Sequence, residues 1–216
     1  MQDAKPRAGP GPLVRLAGHI VNYAVARWPW TWTPLRTPTQ RFFDSLAVGW
    51  DARVQASSEQ YLAPLVAALD RVAAPPARIL DIGTGTGAAA LALAARYPDA
   101  EVIGIDVSAH MIAQAKAKTT GQATHVRFLV ADIAHFDPDE RFDLIAMLNM
   151  PPFFKRVVAL LNPGGLVINA SSYGPRTPFF TSPATLAKGF ERHGLRTIAA
   201  ERAGTGTFYL AQRPIA

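Results

Sequence analysis

The residues with the most chemical potential lie in one short run, Ile79-Leu80-Asp81-Ile82-Gly83-Thr84-Gly85-Thr86-Gly87. Glycines at this density let a backbone bend sharply and come close to a ligand. Gly83, Gly85 and Ala88 satisfy the dinucleotide pattern G-x-G-x-x-G/A, and Asp106 follows at about the distance of a ribose-binding acid. Asp81 argues against a dinucleotide. It stands two residues before the first glycine, where a carboxylate would repel a pyrophosphate and attract a cation. A purely structural role, in which Asp81 hydrogen-bonds the turn backbone, stays open.

The elements around this turn alternate. The pattern predicts strands over Arg78–Ile82, Glu101–Ile105, Val126–Val130, Phe142–Leu148, Leu166–Ala170, Arg196–Ala200 and Thr207–Ala211. It predicts helices over Tyr61–Ala73, Gly87–Tyr97, Ser108–Lys118 (with Ser108 as N-cap), Phe153–Leu161 and Leu186–His193. Apolar strands alternating with helices imply an α/β fold whose parallel sheet is covered on both faces and binds ligands at the carboxyl ends of its strands. Upstream, residues 1–12 read as a tail and Leu13, Leu16, Ala17, Ile20 and Ala24 follow helical spacing. Pro34–Pro38 reads as a linker before a short helix over Gln40–Val54. Residues 1–55 are thus expected to form a tail and helical extension or lid, and 56–216 the ligand-binding domain.

From about residue 60 onward the chain resembles class I methyltransferases dependent on S-adenosylmethionine (SAM). Leu80–Gly87 matches the family's first motif and Ile103-Gly104-Ile105-Asp106-Val107-Ser108 its acidic second motif. Ala131-Asp132-Ile133, Phe142-Asp143-Leu144-Ile145 and Leu161-Asn162-Pro163-Gly164-Gly165 match three later ones. The resemblance implies a Rossmann-like fold with seven strands, mostly parallel, the last antiparallel. It implies SAM as cofactor and S-adenosylhomocysteine as product. Asp81, Gly83 and Gly85 would hold the methionine part, with Thr84 and Gly87 in the same turn. Asp106 would accept from the ribose hydroxyls, Val107 and Met111 would pack on the adenine, and Asp132 beside Ile133 would accept from its amino group. Leu148 completes the set. A shorter likeness, Phe43-Asp44-Ser45-Leu46-Ala47 with Trp50-Asp51, is similar to quinone-type and other small-molecule C- or O-methyltransferases.

The acceptor is expected near Leu148-Asn149-Met150-Pro151-Pro152-Phe153, where Met150 breaks the Asn-Pro-Pro-aromatic motif of amino-group methyltransferases. This departure argues against DNA or protein-glutamine methylation, while the motif set together with the aromatic N-terminus favours a small, largely apolar acceptor, aromatic or quinone-like, methylated at oxygen or carbon. RNA methylation and SAM binding without transfer are the rival readings. Candidate bases are His19, His135 and Tyr173. Packed core, an acceptor-pocket lid and, last, a membrane-surface contact compete to explain the aromatic residues Trp28, Trp30, Trp32, Phe42, Phe43 and Trp50.

Composition narrows the partners. No cysteine is present, which excludes disulfides and thiolate chemistry, and the five histidines lack metal-ligand spacing, so no metal is expected. The net charge is +6, but the arginines are dispersed (Arg15, Arg27, Arg36, Arg41 and Arg53, then Arg192, Arg196, Arg202 and Arg213), which argues against nucleic acid. Arg15 and His19 interrupt the apolar run near the N-terminus, so neither a secretory signal nor a membrane span is read there, and a cytoplasmic location is the expectation. The sequence does not fix an oligomeric state.

Overall fold

The computed structural model describes residues 11–54, 58–119 and 125–215. Seven strands form one sheet in the order β3-β2-β1-β4-β5-β7-β6. They are β1 (Arg78–Ile82), β2 (Glu101–Asp106), β3 (Val126–Val130), β4 (Phe142–Leu148), β5 (Leu161–Ser171), β6 (Arg196–Ala203) and β7 (Gly206–Gln212). The first five pair in parallel, and β7 runs antiparallel to both β5 and β6. The helices are α1 (Pro12–Arg27), α2 (Trp32–Leu46), α3 (Trp50–Val54), α4 (Glu59–Leu69), α5 (Ala88–Arg96), α6 (Ala109–Thr119), α7 (Phe154–Leu160) and α8 (Pro183–Glu191).

Strand alternation divides the core. Ile79 joins a cluster with Leu65 and Leu69 of α4, Leu93 of α5 and Ile112 of α6. Leu80 and Ile82 join the opposite cluster with Phe154 and Val157 of α7, Leu186 and Phe190 of α8, and Val25 and Trp32 from the N-terminal helices. Successive side chains on a strand point to opposite faces, so the strands covered on both sides must be apolar throughout. Asp81, fully buried on the Ile79 face, is the exception among the buried residues of β1. Strand order reverses between β1 and β4, and such a switch point leaves a crevice at the carboxyl ends of the strands.

Three expectations are corrected. Pro34–Pro38 is helical, not a linker: it lies inside α2. Pro34 falls in the first turn, where backbone N–H groups have no intrahelical acceptor, and only Pro38 removes an interior bond. The helix expected over Gln40–Val54 is split, with α2 ending at Leu46 and α3 starting at Trp50, and Gly49 between them has φ +78°. Asn162–Gly165, left between the helix expected over Phe153–Leu161 and the strand expected over Leu166–Ala170, belongs to β5, where Gly164 N–H donates to Arg213 O and Arg213 N–H to Gly165 O. Of the tail expected over 1–12, residues 1–10 lie outside the described residues, and Pro12 opens α1.

Gly87 locks the glycine-rich turn to the sheet. Its φ is +86°, and a Cβ there would fall 2.8 Å from the Phe128 ring of β3. Gly87→Ala should therefore lower unfolding stability by about 2–4 kcal/mol, combining left-handed strain with overpacking. Urea denaturation measures this. A variant as stable as the parent would show that α5 does not need this close approach.

Candidate functional site

At the carboxyl ends of β1, β2 and β4 lies a cleft open to solvent, about 860 Å³ with its mouth included. Gly83, Thr84 and Gly85 form its floor, Asp106 and Val107 close the β2 side, and Met111 of α6 and Ile133 after β3 continue that wall. Leu148, Asn149 and Met150 follow β4. The remaining wall comes from upstream: Trp32, Thr39 and Phe43 of α2, Trp50 of α3 and Tyr61 of α4.

Asp81 sits beneath this floor with both carboxylate oxygens buried and without a hydrogen bond of good geometry. Burial raises its pKa to about 7; the Asp106 charge adds to this, while the nearby Thr84 side chain and Ala90 backbone pull it back. It lies near enough for its charge to help raise the Tyr61 hydroxyl, which burial pushes up to about 12. Asp106 is also raised, chiefly by burial. Its two oxygens accept from Gly85 N–H and Ser108 N–H, each at 2.9 Å. Each oxygen keeps acceptor capacity, because a carboxylate has about four lone-pair sites. A Cβ on Gly85 would meet no atom within 4 Å, so the backbone there faces open space. An orphaned buried carboxylate, a bare glycine turn and a second acid at the next strand end fit a ligand with an ammonium and a diol. These are the groups that SAM presents.

The upstream helices are fastened to the same turn. Ser108 Oγ accepts from Met111 N–H at 3.0 Å, capping α6, and donates to Asp44 at 2.5 Å, which holds the Asp44 carboxyl below the usual carboxylate value. Asp51 accepts from the Thr86 hydroxyl and pairs with Lys118 at 2.5 Å. Trp32 Nε1–H donates to Asp132 Oδ1 at 2.8 Å, and its ring meets Phe153 edge-on at 5.4 Å.

Gly83, Thr84, Gly85, Asp106, Val107, Met111, Ile133 and Leu148 thus share one cavity. Asp81 lies below it, and Gly87 serves to seat α5 against Phe128. Asp132 is not in the wall: one oxygen accepts from Trp32 and Ala134 N–H, and the other faces Arg36 at 3.5 Å and His135 at 3.4 Å. The three candidate bases also lie elsewhere. His19 Nε2 is 3.0 Å from Thr177 O, His135 is exposed beside Asp132, and Tyr173 OH donates to Val54 O. Sequence reasoning missed Tyr61, which had been read only as the start of an apolar helix face. Asn149 adopts φ +60°, a region tolerated by Asn, and its amide exchanges two hydrogen bonds with Ser172.

The buried acid gives a pH signature. An unfolded Asp titrates near 3.8, whereas folded Asp81 titrates at about 7. Between these values the folded state holds the proton more tightly, so the Asp81 contribution to the stability of the unliganded protein falls as pH rises through that window. A cationic ligand selects the ionised form, so affinity for S-adenosylhomocysteine, which keeps the ammonium, should rise with pH and level off above about 7. Asp81→Asn should flatten both trends and weaken binding at pH 8 by at least about tenfold. Calorimetry and thermal melts across pH check this, and an unchanged dissociation constant would remove Asp81 from the ligand site.

Residues 79–165 match the family described as Methyltransferase domain. Trans-aconitate 2-methyltransferase of Methylobacterium nodulans is 35% identical over 125 residues, covering 54% of this chain and 47% of that protein. Demethylmenaquinone methyltransferase of Thermus thermophilus is 41% identical over 101 residues, covering 43% and 46%. The chain thus spans under half the length of either relative. A solved SAM-dependent methyltransferase from Aquifex aeolicus superposes with a TM-score of 0.62 at 20% identity, over 73% of this chain and 93% of that one. The family match falls on the glycine turn, Asp106 and the strands that carry them, so residues 79–165 are similar to a methyltransferase domain, and the sheet has the fold of the solved SAM-dependent methyltransferase.

Proposed function

We propose that the chain transfers the methyl group of SAM to oxygen or carbon of a small, largely apolar acceptor. The observation that carries this reading is the composition of the cavity wall. Its β1–β2 side offers Asp106 and the glycine turn above Asp81, while its other side is Trp32, Phe43, Trp50, Tyr61 and Met150. Apolar walls with a few placed polar groups suit small organic ligands.

SAM, when bound, supplies a sulfonium-activated methyl group, so the protein's task is alignment and exclusion of water. Asp81, the Gly83–Gly85 backbone and Asp106 would hold the cofactor, with Val107, Met111 and Ile133 against the adenine. Asp132 would act on the adenine end indirectly, by fixing Trp32. The upstream helices would serve as the lid, held down by Asp44 on Ser108 and Asp51 on Thr86. Tyr61, kept protonated at neutral pH, is suited to donate a hydrogen bond beside the acceptor rather than to remove a proton.

The wall also discriminates between the two relatives' substrates. Among the described residues no Lys, Arg or His lines the cavity, and Asp106 is the one carboxylate in its wall. A tricarboxylate such as trans-aconitate would find no cationic partner there, whereas a quinol-like ring would find aromatic faces. The same lack of basic residues speaks against RNA.

The test is methyl transfer from SAM to a panel containing quinols, simple phenols and trans-aconitate, followed by S-adenosylhomocysteine release and product mass. Turnover of quinols or phenols is expected. Turnover of trans-aconitate alone would overturn the apolar reading, and cofactor binding with no turnover across the panel would favour binding without transfer. Phe43→Ala should raise the acceptor KM by about tenfold while the S-adenosylhomocysteine dissociation constant moves by less than about twofold. An acceptor KM unaffected by this change would remove the lid from the acceptor site.

A further inference from the structure

Helix α1 packs the wrong way round for a water-facing helix. Gly18, Asn22 and Val25 form its buried stripe. A Cβ on Gly18 would fall 2.4 Å from Pro178, and Asn22 Nδ2 donates to Phe180 O at 2.9 Å and to Thr181 Oγ1 at 2.7 Å. The stripe facing away is apolar: Leu13 is 81% exposed, Leu16 57%, Ile20 59% and Tyr23 64%, and Trp30 just beyond the helix is 71% exposed. These residues recur at i, i+3, i+7 and i+10, so they share one face of the helix.

Charge says what this face fits. Residues 4–43 contain no Asp or Glu but hold Lys5, Arg7, Arg15, Arg27, Arg36 and Arg41. The other 16 basic residues are balanced by the 16 acids, so this segment carries the whole net charge of +6. Within it, Arg27 lies over the Trp28 ring at 5.5 Å, at the end of the apolar stripe.

We infer that α1 lies on the surface of an anionic lipid bilayer, with Leu13, Leu16, Ile20 and Tyr23 in the headgroup–acyl boundary and Trp28 and Trp30 beside them. An apolar helix face, interfacial tryptophans and acid-free basic flanks are the combination that binds such surfaces. A second protein surface would not call for the uniform sign of charge. The segment continues into α2, whose Trp32 and Phe43 line the cavity, so an apolar acceptor leaving the bilayer would meet the cavity wall directly. The lipid contact itself does not depend on methyl transfer.

Sedimentation of the full chain with vesicles tests it. Binding is expected to phosphatidylcholine vesicles containing phosphatidylglycerol and to be at least about tenfold weaker with phosphatidylcholine alone. Leu16→Glu with Ile20→Glu should cut binding to the anionic vesicles at least about tenfold while leaving the melting temperature and S-adenosylhomocysteine affinity unchanged. Arg27→Glu should reduce it by a smaller factor. Absence of binding to anionic vesicles overturns the inference. So does a double variant that binds like the parent, one that melts early because the face is packed inside the fold, or one that converts a dimeric parent to a monomer because the face is covered by a second copy.

Discussion

Everything at the cavity depends on one unfavourable placement, the burial of the Asp81 carboxylate with no hydrogen bond of good geometry among the described residues. A charge removed from water in this way is costly, and the group answers by holding a proton up to about pH 7. The sheet imposes the position. Asp81 is paired near the carboxyl end of β1, opposite Gly104 on one side and Ala146 on the other, and its side chain is fully buried in the unliganded protein. Asp106, at the end of the neighbouring strand, adds a second negative charge that raises Asp81 further. Two acids around a turn of positive-φ glycines form a site that is incomplete until a cation arrives, which separates it from the anion-binding turns of dinucleotide enzymes.

The upstream helices share in this arrangement. Asp44 and Asp51, the two acids of the described N-terminal segment, both reach down to the cofactor side, one to Ser108 and the other to Thr86 and Lys118. Ser108 thereby serves two elements at once, capping α6 and holding α2. The cofactor turn and the helices above it form a continuous hydrogen-bonded unit, so a change in one is felt in the other.

Much of the sheet was legible in the sequence. β1, β3 and β4 have the bounds that their apolar runs suggest, because each run is short, β-branched and flanked by breakers or polar residues. Gly83 and Asp106 line the cavity as their local turn chemistry suggests, whereas Met111 was expected there only through the family resemblance. What escaped depends on distant partners. Asp132 reads as a loop acid until Trp32, 100 residues earlier, is seen to donate to it. Tyr61 reads as one more apolar helix residue until the fold brings it beside the cavity. The orientation of α1 was equally hidden, since helical spacing identifies an apolar stripe but not the direction it faces. Pro38 escaped for the opposite reason, because a local rule against proline inside helices was overridden by packing.

The docking of α1 has a consequence for the order in which the molecule assembles. Its partners, Thr177, Phe180 and Thr181, lie 158 or 159 residues further along the chain. On the ribosome this helix is made before any of the seven strands, yet the loop that receives it emerges only after five of them. Contacts of such long sequence separation close late, because the loop entropy must be overcome before they form. The parallel half of the sheet can therefore be built while α1 is still undocked and its nonpolar side chains are exposed. For that interval the nascent protein is vulnerable to self-association, and speed of synthesis through the β5–α8 connection governs how long the interval lasts.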